Sequence, residues 1–344
     1  MIQFQCDYNE GAHPNILQRL TESNMEQTVG YGEDTYCDEA RALIKGACER
    51  EDVDVHFLVG GTQTNTTVIA HTLRPYQGVI AATSGHINVH ETGAIESTGH
   101  KVLAVPTADG KLTAEQIEEV MQAHIHEDGP EHMVQPGMVY LSFPTEIGTI
   151  YTVSELEAIS TVCKHHSLPL FVDGARLGYG LCSPESDITL PMLAKLTDIF
   201  YIGGTKVGAL FGEAVVITNE ALKKDFRYSI KQHGGMLAKG RLLGIQFATL
   251  FTDNLYMNIS RHAIDEALRI KAALKAKGIP FLIDSSTNQQ FPIFSNEQLA
   301  SLSTEYLFSI WQVVDKQHTA VRICTSWATQ TKNVDQLIAA IEQL

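Results

Sequence analysis

Between about residues 54 and 217 the sequence alternates two hydrophobic rhythms. Short apolar runs of strand length recur: "VHFLVG" (55–60), "GVIAAT" (78–83), "HKVLAVP" (100–106), "MVYLSF" (138–143), "LPLFVD" (168–173), "DIFYIGG" (198–204) and "EAVVIT" (213–218). Between them, apolar positions return every three or four residues, which predicts helices. "TVSELEAISTVCKHH" (152–166) is the clearest helix, and Ser154 followed by Glu157 reads as its capping box. "GTQTNTTVIAHTL" follows the first strand and opens on Gly and Thr, as a helix N-terminus does. Strands that are apolar on both faces and separated by helices predict an α/β domain with a mainly parallel sheet flanked by helices.

After Leu250 the rhythm changes. "ISRHAIDEALRIKAALKAKG" (259–278) predicts a long amphipathic helix ending at Gly278, followed by short strands in "QQFPIFS" and "AVRICTS" and a closing helix, "NVDQLIAAIEQL". The expectation is a large domain over 1–250, including the N-terminal segment, and a smaller C-terminal α+β domain over 251–344. The join is expected within a helix between about residues 235 and 265, with no flexible linker. No internal repeat or low-complexity segment interrupts the chain.

Composition narrows the function classes. The 344 residues are 44% hydrophobic and 19% charged, enough for one large domain and a smaller one. Forty acidic against 25 basic residues give a net charge of −15, which argues against nucleic acid and anionic membranes as partners. The first residues, "MIQFQCDYNEGAHP", lack the basic and apolar regions of a signal peptide, and no apolar run reaches membrane-spanning length. The six cysteines are scattered without a C-x-x-C pair and are read as reduced thiols of a cytoplasmic protein. No metal-ligand cluster such as H-E-x-x-H is present, so no metal is expected.

In open α/β sheets ligands bind beyond the carboxyl ends of the strands, and three groups fall there. "VGGTQTN" (59–65) joins a strand to a helix; its glycines admit a close ligand, and the first helix amides can hold a phosphate. It is neither a Walker loop nor a G-x-G-x-x-G fingerprint, and by itself it also reads as a plain turn. "FVDGAR" (171–176) puts Asp173 at the end of an apolar strand, where it is either a functional carboxylate or a turn cap. "YIGGTKVGAL" (201–210) sets Lys206 among glycines and hydrophobes; an amine held there has a lowered pKa and is a good nucleophile, unless it reaches out to solvent. Together the three are the parts that hold pyridoxal 5′-phosphate: a phosphate cradle, a carboxylate that keeps the pyridine nitrogen protonated, and a Schiff-base lysine.

Several blocks in order, "GYGED" (30–34), "GGTQTN" (60–65), "GHINVHETGAIE" (85–96), "DGARL" (173–177) and "GGTKVGALFGE" (203–213), resemble the threonine aldolase and β-eliminating lyase family of fold-type-I pyridoxal-phosphate enzymes. The resemblance implies that Lys206 joins the cofactor, Asp173 meets the pyridine nitrogen, Gly61 and Thr62 hold the phosphate, and His86 stacks on the ring. It implies that Arg176 lies near the ring and the substrate carboxylate, and that Arg322 grips that carboxylate. Tyr31 falls in a block that reaches the substrate, and Glu91 is close enough to orient His86. Three stretches depart from the family pattern. Pro144, in "LSFPTEIGT", stands near the place of an expected histidine; Cys6 replaces a substrate-contacting serine; Leu237 replaces an arginine for which Lys239 or Arg241 can substitute, from a neighbouring subunit.

The resemblance implies a homodimer or homotetramer and cleavage of threonine or allo-threonine to glycine and an aldehyde, with His86 or a water as base. β-Elimination on another amino acid and a catalytically inactive binding protein are the alternatives.

Overall fold

The structure, a computed structural model, describes residues 1–344. Strand β1 (Ile2–Gln3) stands apart from the seven that follow: β2 (Asp54–Leu58), β3 (Gln77–Ala82), β4 (Lys101–Val105), β5 (Gln135–Ser142), β6 (Leu170–Asp173), β7 (Ile199–Gly203) and β8 (Glu213–Ile217). These seven form one sheet in the order β2-β8-β7-β6-β5-β3-β4. From β7 to β4 all neighbours run parallel, whereas β8 is antiparallel to both β7 and β2. All seven apolar runs are strands, and their two-sided burial is the reason. Along β3, Ile80 and Ala82 enter one hydrophobic core while Val79 and Ala81 enter the core on the opposite face.

The predicted helix over 152–166 forms as Val153–His165, but its capping box is Thr152 with Glu155, not Ser154 with Glu157. Both pairs have the required spacing. Thr152 takes the role because it is the last extended residue (φ −83, ψ 163), and Ser154 is already inside the first turn.

The C-terminal unit contains β9 (Gln289–Gln290), β10 (Ile293–Ser295), β11 (Tyr306–Leu307), β12 (Ser309–Val313) and β13 (His318–Cys324), with antiparallel pairing around β13. Helices Leu255–Ala276 and Thr331–Glu342 cover it, burying Ile270, Leu274, Val334 and Leu337 in a third core. The chain turns into this unit between two helices, at Thr252–Asn254, where Asp253 (φ 51) and Asn254 (φ 58) are left-handed. Along Leu255–Ala276 the packing passes from the large core, at Tyr256, Ile259, Ala263 and Ile264, to the third core, at Ile270 and Leu274.

The N-terminal segment also departs from its expected grouping with the first 250 residues. β1 pairs in parallel with β11, and Phe4 is buried in the third core. Two residues carry no periodicity, so the pattern could not reveal this strand.

Two glycines bring the ends of β6 and β7 together. A Cβ on Gly174 would lie 1.9 Å from the Tyr201 carbonyl oxygen, and one on Gly203 would lie 2.3 Å from that of Ala175. Only glycine permits this approach, and the Gly203 N–H donates to the Gly174 carbonyl at 2.9 Å across it. Asp173 is thereby held beside the turn that carries Lys206.

Candidate active site

Beyond the carboxyl ends of β5, β6 and β7 lies a cavity of about 350 Å³, lined by Lys206, Asp173, His86, Glu146, Glu213 and the Val59–Thr62 turn, among others. An outer chamber of about 520 Å³ shares five of its lining residues and is bounded by Trp311 and Arg322. Helix Gly61–Thr72 starts at the inner cavity, and a helix's first amides have no partner within the helix. Gly61 suits the close quarters of this turn: a Cβ there would lie 3.1 Å from the Tyr201 hydroxyl.

Asp173 is buried and accepts four hydrogen bonds: from the hydroxyls of Tyr201 and Tyr140 (2.6 Å), from Asn65 Nδ2 (3.0 Å) and from the Ala175 N–H (3.0 Å). Burial alone would raise its pKa. The charge of His86 and the donors Tyr140 and Tyr201 outweigh burial and hold the carboxyl below its ordinary range, as an anion. Asn65 Nδ2 also donates to Glu91 Oε1 at 2.8 Å, and the same oxygen holds His86 Nδ1 at 2.8 Å. Burial alone would lower His86. The bond to Glu91 and the charges of Asp173 and Glu91 prevail and raise it, favouring the charged imidazolium.

Lys206 lies in the β7–β8 turn, whose shape is fixed by Thr205, which donates from its hydroxyl to Glu213 at 2.8 Å, and by Tyr179, which donates to the Lys206 carbonyl at 2.6 Å. Burial and the neighbouring Arg176 charge lower the Lys206 amine, against the pull of Asp7, Asp173 and Glu213. Burial pushes the Glu213 carboxyl up to about 8, so near neutral pH it is largely a neutral acid beside that amine.

Arg176 is gripped by Asp7: Nε donates to Oδ2 at 2.6 Å and an Nη donates to Oδ1 at 3.0 Å. Asn288 Nδ2 donates to the same carboxylate at 2.9 Å. Burial would raise Asp7, but the Arg176 charge and these bonds bring it down to about 2. The native state therefore binds this proton more weakly than the unfolded chain. The resulting stability is complete above about pH 4 and is lost as pH falls toward 2. Asp7→Asn leaves a buried guanidinium without its anion and is expected to cost about 3–5 kcal/mol in urea denaturation. The variant should also lose the part of the acid sensitivity that Asp7 confers.

The structure gathers most of the residues singled out from the sequence. Lys206, Asp173, Gly61, Thr62, His86 and Arg176 all line the inner cavity, and Arg322 lines the outer chamber. Arg322 donates to Gln289 Oε1 (3.3 Å) and to the Gln5 carbonyl (3.1 Å), stacks over Trp311 at 5.5 Å, and leaves its buried Nε without a partner. Cys6 and Tyr31 are not among the lining residues. Cys6 donates to Asn9 Oδ1 at 2.9 Å, and Tyr8, two residues on, faces the cavity instead. Tyr31 lies under Lys231, in a separate surface hollow with Arg227, Tyr228 and Met236. Leu237 borders a neighbouring small pocket, and Arg241 is bound to the carbonyls of Asn24 and Glu26. Sequence reasoning did not single out Asp7, Tyr8, Asn65, Tyr140, Glu146 or Glu213. Glu213 ends the quoted "GGTKVGALFGE" block and Glu146 stands two residues after the Pro144 departure, so both had a signal nearby.

This sheet order, with one antiparallel strand and a cavity-lining lysine after the fifth parallel strand, is the architecture of fold-type-I pyridoxal-phosphate enzymes. A histidinol-phosphate aminotransferase from Clostridium acetobutylicum shares the fold at a TM-score of 0.75 with 13% identity, over 100% of this chain and 98% of that one. Closer kinship fixes the family. The beta-eliminating lyase family model matches residues 4–296. A low specificity L-threonine aldolase from Pseudomonas aeruginosa is 31% identical over 97% of this chain and 95% of its own. The Leishmania major threonine aldolase structure is 47% identical, with a TM-score of 0.97, over 100% and 99% of the two chains. The chain belongs to the threonine aldolase and β-eliminating lyase family.

Proposed function

We infer that the protein is a pyridoxal-phosphate-dependent lyase that cleaves a β-hydroxy-α-amino acid, threonine or allo-threonine, to glycine and an aldehyde. The observation that carries this reading is the meeting, in one cavity, of a lysine with a lowered pKa, a buried anionic aspartate and an open helix N-terminus. The relatives named threonine aldolases support the substrate class.

The residues fit the cofactor by their chemistry. The helix N-terminus at Gly61 and Thr62 suits a phosphate, and the glycine turn leaves it room. Asp173 supplies the negative charge that a protonated ring nitrogen needs. When bound, pyridoxal phosphate supplies an electron sink for the pair left on Cα when a bond there breaks. Lys206 holds the cofactor and exchanges it for the substrate amine. His86, fixed by Glu91, would lie beside the bound cofactor. Arg322 has no carboxylate partner of its own in this chain and is the group suited to a substrate carboxylate. Arg176, already neutralised by Asp7, braces the cavity wall below it. By fixing the carboxylate, Arg322 decides which Cα bond stands perpendicular to the ring. A homo-oligomer is part of the reading, because Tyr31 lies away from the cavity of its own chain.

Incubation of the purified protein with the four threonine stereoisomers tests this. Equal release of glycine and acetaldehyde from at least one isomer is expected. Keto acid and ammonia without glycine would replace cleavage with elimination.

A further inference from the structure

A retro-aldol cleavage needs a group that removes the proton from the β-hydroxyl, and the sequence reading gave that task to His86 or a water. The structure disfavours His86. Its Nδ1 is taken up by Glu91 Oε1 at 2.8 Å, and the Glu91 bond and the neighbouring carboxylate charges raise its pKa, which works against its acting as a base. Asp173 is fully occupied by four donors. Both oxygens of Glu213 are engaged, by the Thr205 hydroxyl at 2.8 Å and the Gly204 N–H at 3.2 Å.

Glu146 differs. It sits four residues past the end of β5, in the stretch where Pro144 replaces an expected histidine, and it lines both the inner cavity and the outer chamber. Pro144 also lines the inner cavity but has no side-chain group that can carry a proton. Glu146 Oε1 accepts from the His86 backbone N–H at 2.8 Å and from the Ser142 hydroxyl at 2.6 Å. These two bonds fix the carboxylate plane. Oε2 makes no hydrogen bond and is not among the sealed, unpartnered atoms of the chain, so it keeps its access to the cavity.

We propose that Glu146 is the catalytic base of the cleavage, taking the β-hydroxyl proton on Oε2. The inference rests on the retro-aldol reading above. In the step, the O–H bond breaks and its proton passes to Glu146. The freed oxygen pair becomes the C=O bond of the aldehyde as Cα–Cβ breaks. The pair from Cα–Cβ would be held by the cofactor that the site fits and would return to Cα with a proton, giving glycine. Glu146 loses its proton to water, the proton at Cα comes from another donor, and no oxidant or second reactant is needed. Its surroundings suit the exchange. Burial and the Asp173 charge raise the carboxyl, whereas the Ser142 and His86 donors lower it. Asp173, Glu213, His86, His90, Lys206, Arg176, Arg322, Tyr8 and Tyr201 are the other titratable or charged groups facing the same space.

The test compares two reactions of one holoenzyme. Threonine cleavage needs a base at the hydroxyl, whereas exchange of the α-hydrogen of glycine in heavy water, followed by NMR, does not. Glu146→Gln should lower kcat/KM for the preferred threonine isomer by about 100-fold or more and glycine exchange by less than about threefold. The acid limb of the wild-type kcat/KM profile should be missing from the residual activity. Glu146→Asp should recover part of the cleavage. Equal loss of both reactions would mean a structural role, and full retention of cleavage would mean that another group takes the proton; either result overturns the proposal. A wild-type enzyme that exchanges glycine but cleaves no threonine isomer defeats the aldolase reading itself, independently of any variant.

Discussion

Lys206→Ala is expected to reduce threonine cleavage by more than about 1,000-fold, a loss of roughly 4 kcal/mol or more of transition-state stabilisation. The lysine is the only amine lining the inner cavity, so neither the covalent hold on the cofactor nor its exchange for the substrate amine has a substitute there. The fold should survive. What the surroundings require of residue 206 is its backbone carbonyl, which accepts from Tyr179, and alanine keeps that group. Removing an amine that is crowded by burial and by Arg176 should leave the thermal midpoint unchanged or higher. Kinetics and a thermal melt on the same preparation check both statements. Borohydride reduction followed by peptide mass spectrometry should place the cofactor on the wild-type peptide containing residue 206 and on no peptide of the variant. Retention of a tenth of the activity would remove Lys206 from the chemistry.

Asp173→Asn is expected to lower kcat by about 100- to 1,000-fold, the scale of removing one preorganised charge from a dry site. It also carries a structural cost that Lys206→Ala lacks. An asparagine offers one oxygen and one NH₂ where the aspartate offers two acceptors to Tyr140, Tyr201, Asn65 and the Ala175 N–H. At least one of those buried donors then faces another donor, which costs about 1–3 kcal/mol. Urea denaturation of the variant should show that loss, and kcat measured well below the melt should show the larger catalytic one. A variant that is destabilised yet turns over normally would assign Asp173 to the scaffold alone.

The central sheet was readable because its inner strands are apolar along most of their length, and "IFYIG" and "EAVVI" are buried at every position. Short runs of that kind, separated by helices, are what a sheet covered on both faces requires. β1 was not readable, because Ile2 and Gln3 acquire meaning only from Tyr306 and Leu307, about three hundred residues away. The site divides in the same way. Lys206 and Asp173 stand out as charges at the ends of apolar strands. Asp7 and Tyr8 lie in a stretch without periodicity and enter the cavity wall only through Arg176 and the tertiary fold. Glu146 was hidden by attention to its neighbour, since an aligned pattern directs the eye to the missing histidine rather than to the carboxylate two residues on. Tyr31 and Cys6 belong to blocks that the resemblance marks, but a block can be shared without each side chain facing its own chain's cavity.

The pairing of β1 with β11 has a consequence for biosynthesis. Ile2 and Gln3, the Phe4 side chain and the Asp7 carboxylate leave the ribosome about three hundred residues ahead of the strand that pairs with β1. Their partners include Tyr306, Leu307 and Asn288. At about 5–20 residues per second, the opening segment waits roughly 15–60 s of translation for its strand partner. During that time the emerging α/β layer can condense, yet Arg176 must either hold Asp7 without Asn288 beside it or leave it unclaimed. A nascent chain therefore cannot finish its cavity wall until Asn288 and β11 have been made, long after Arg176 and Lys206 have emerged.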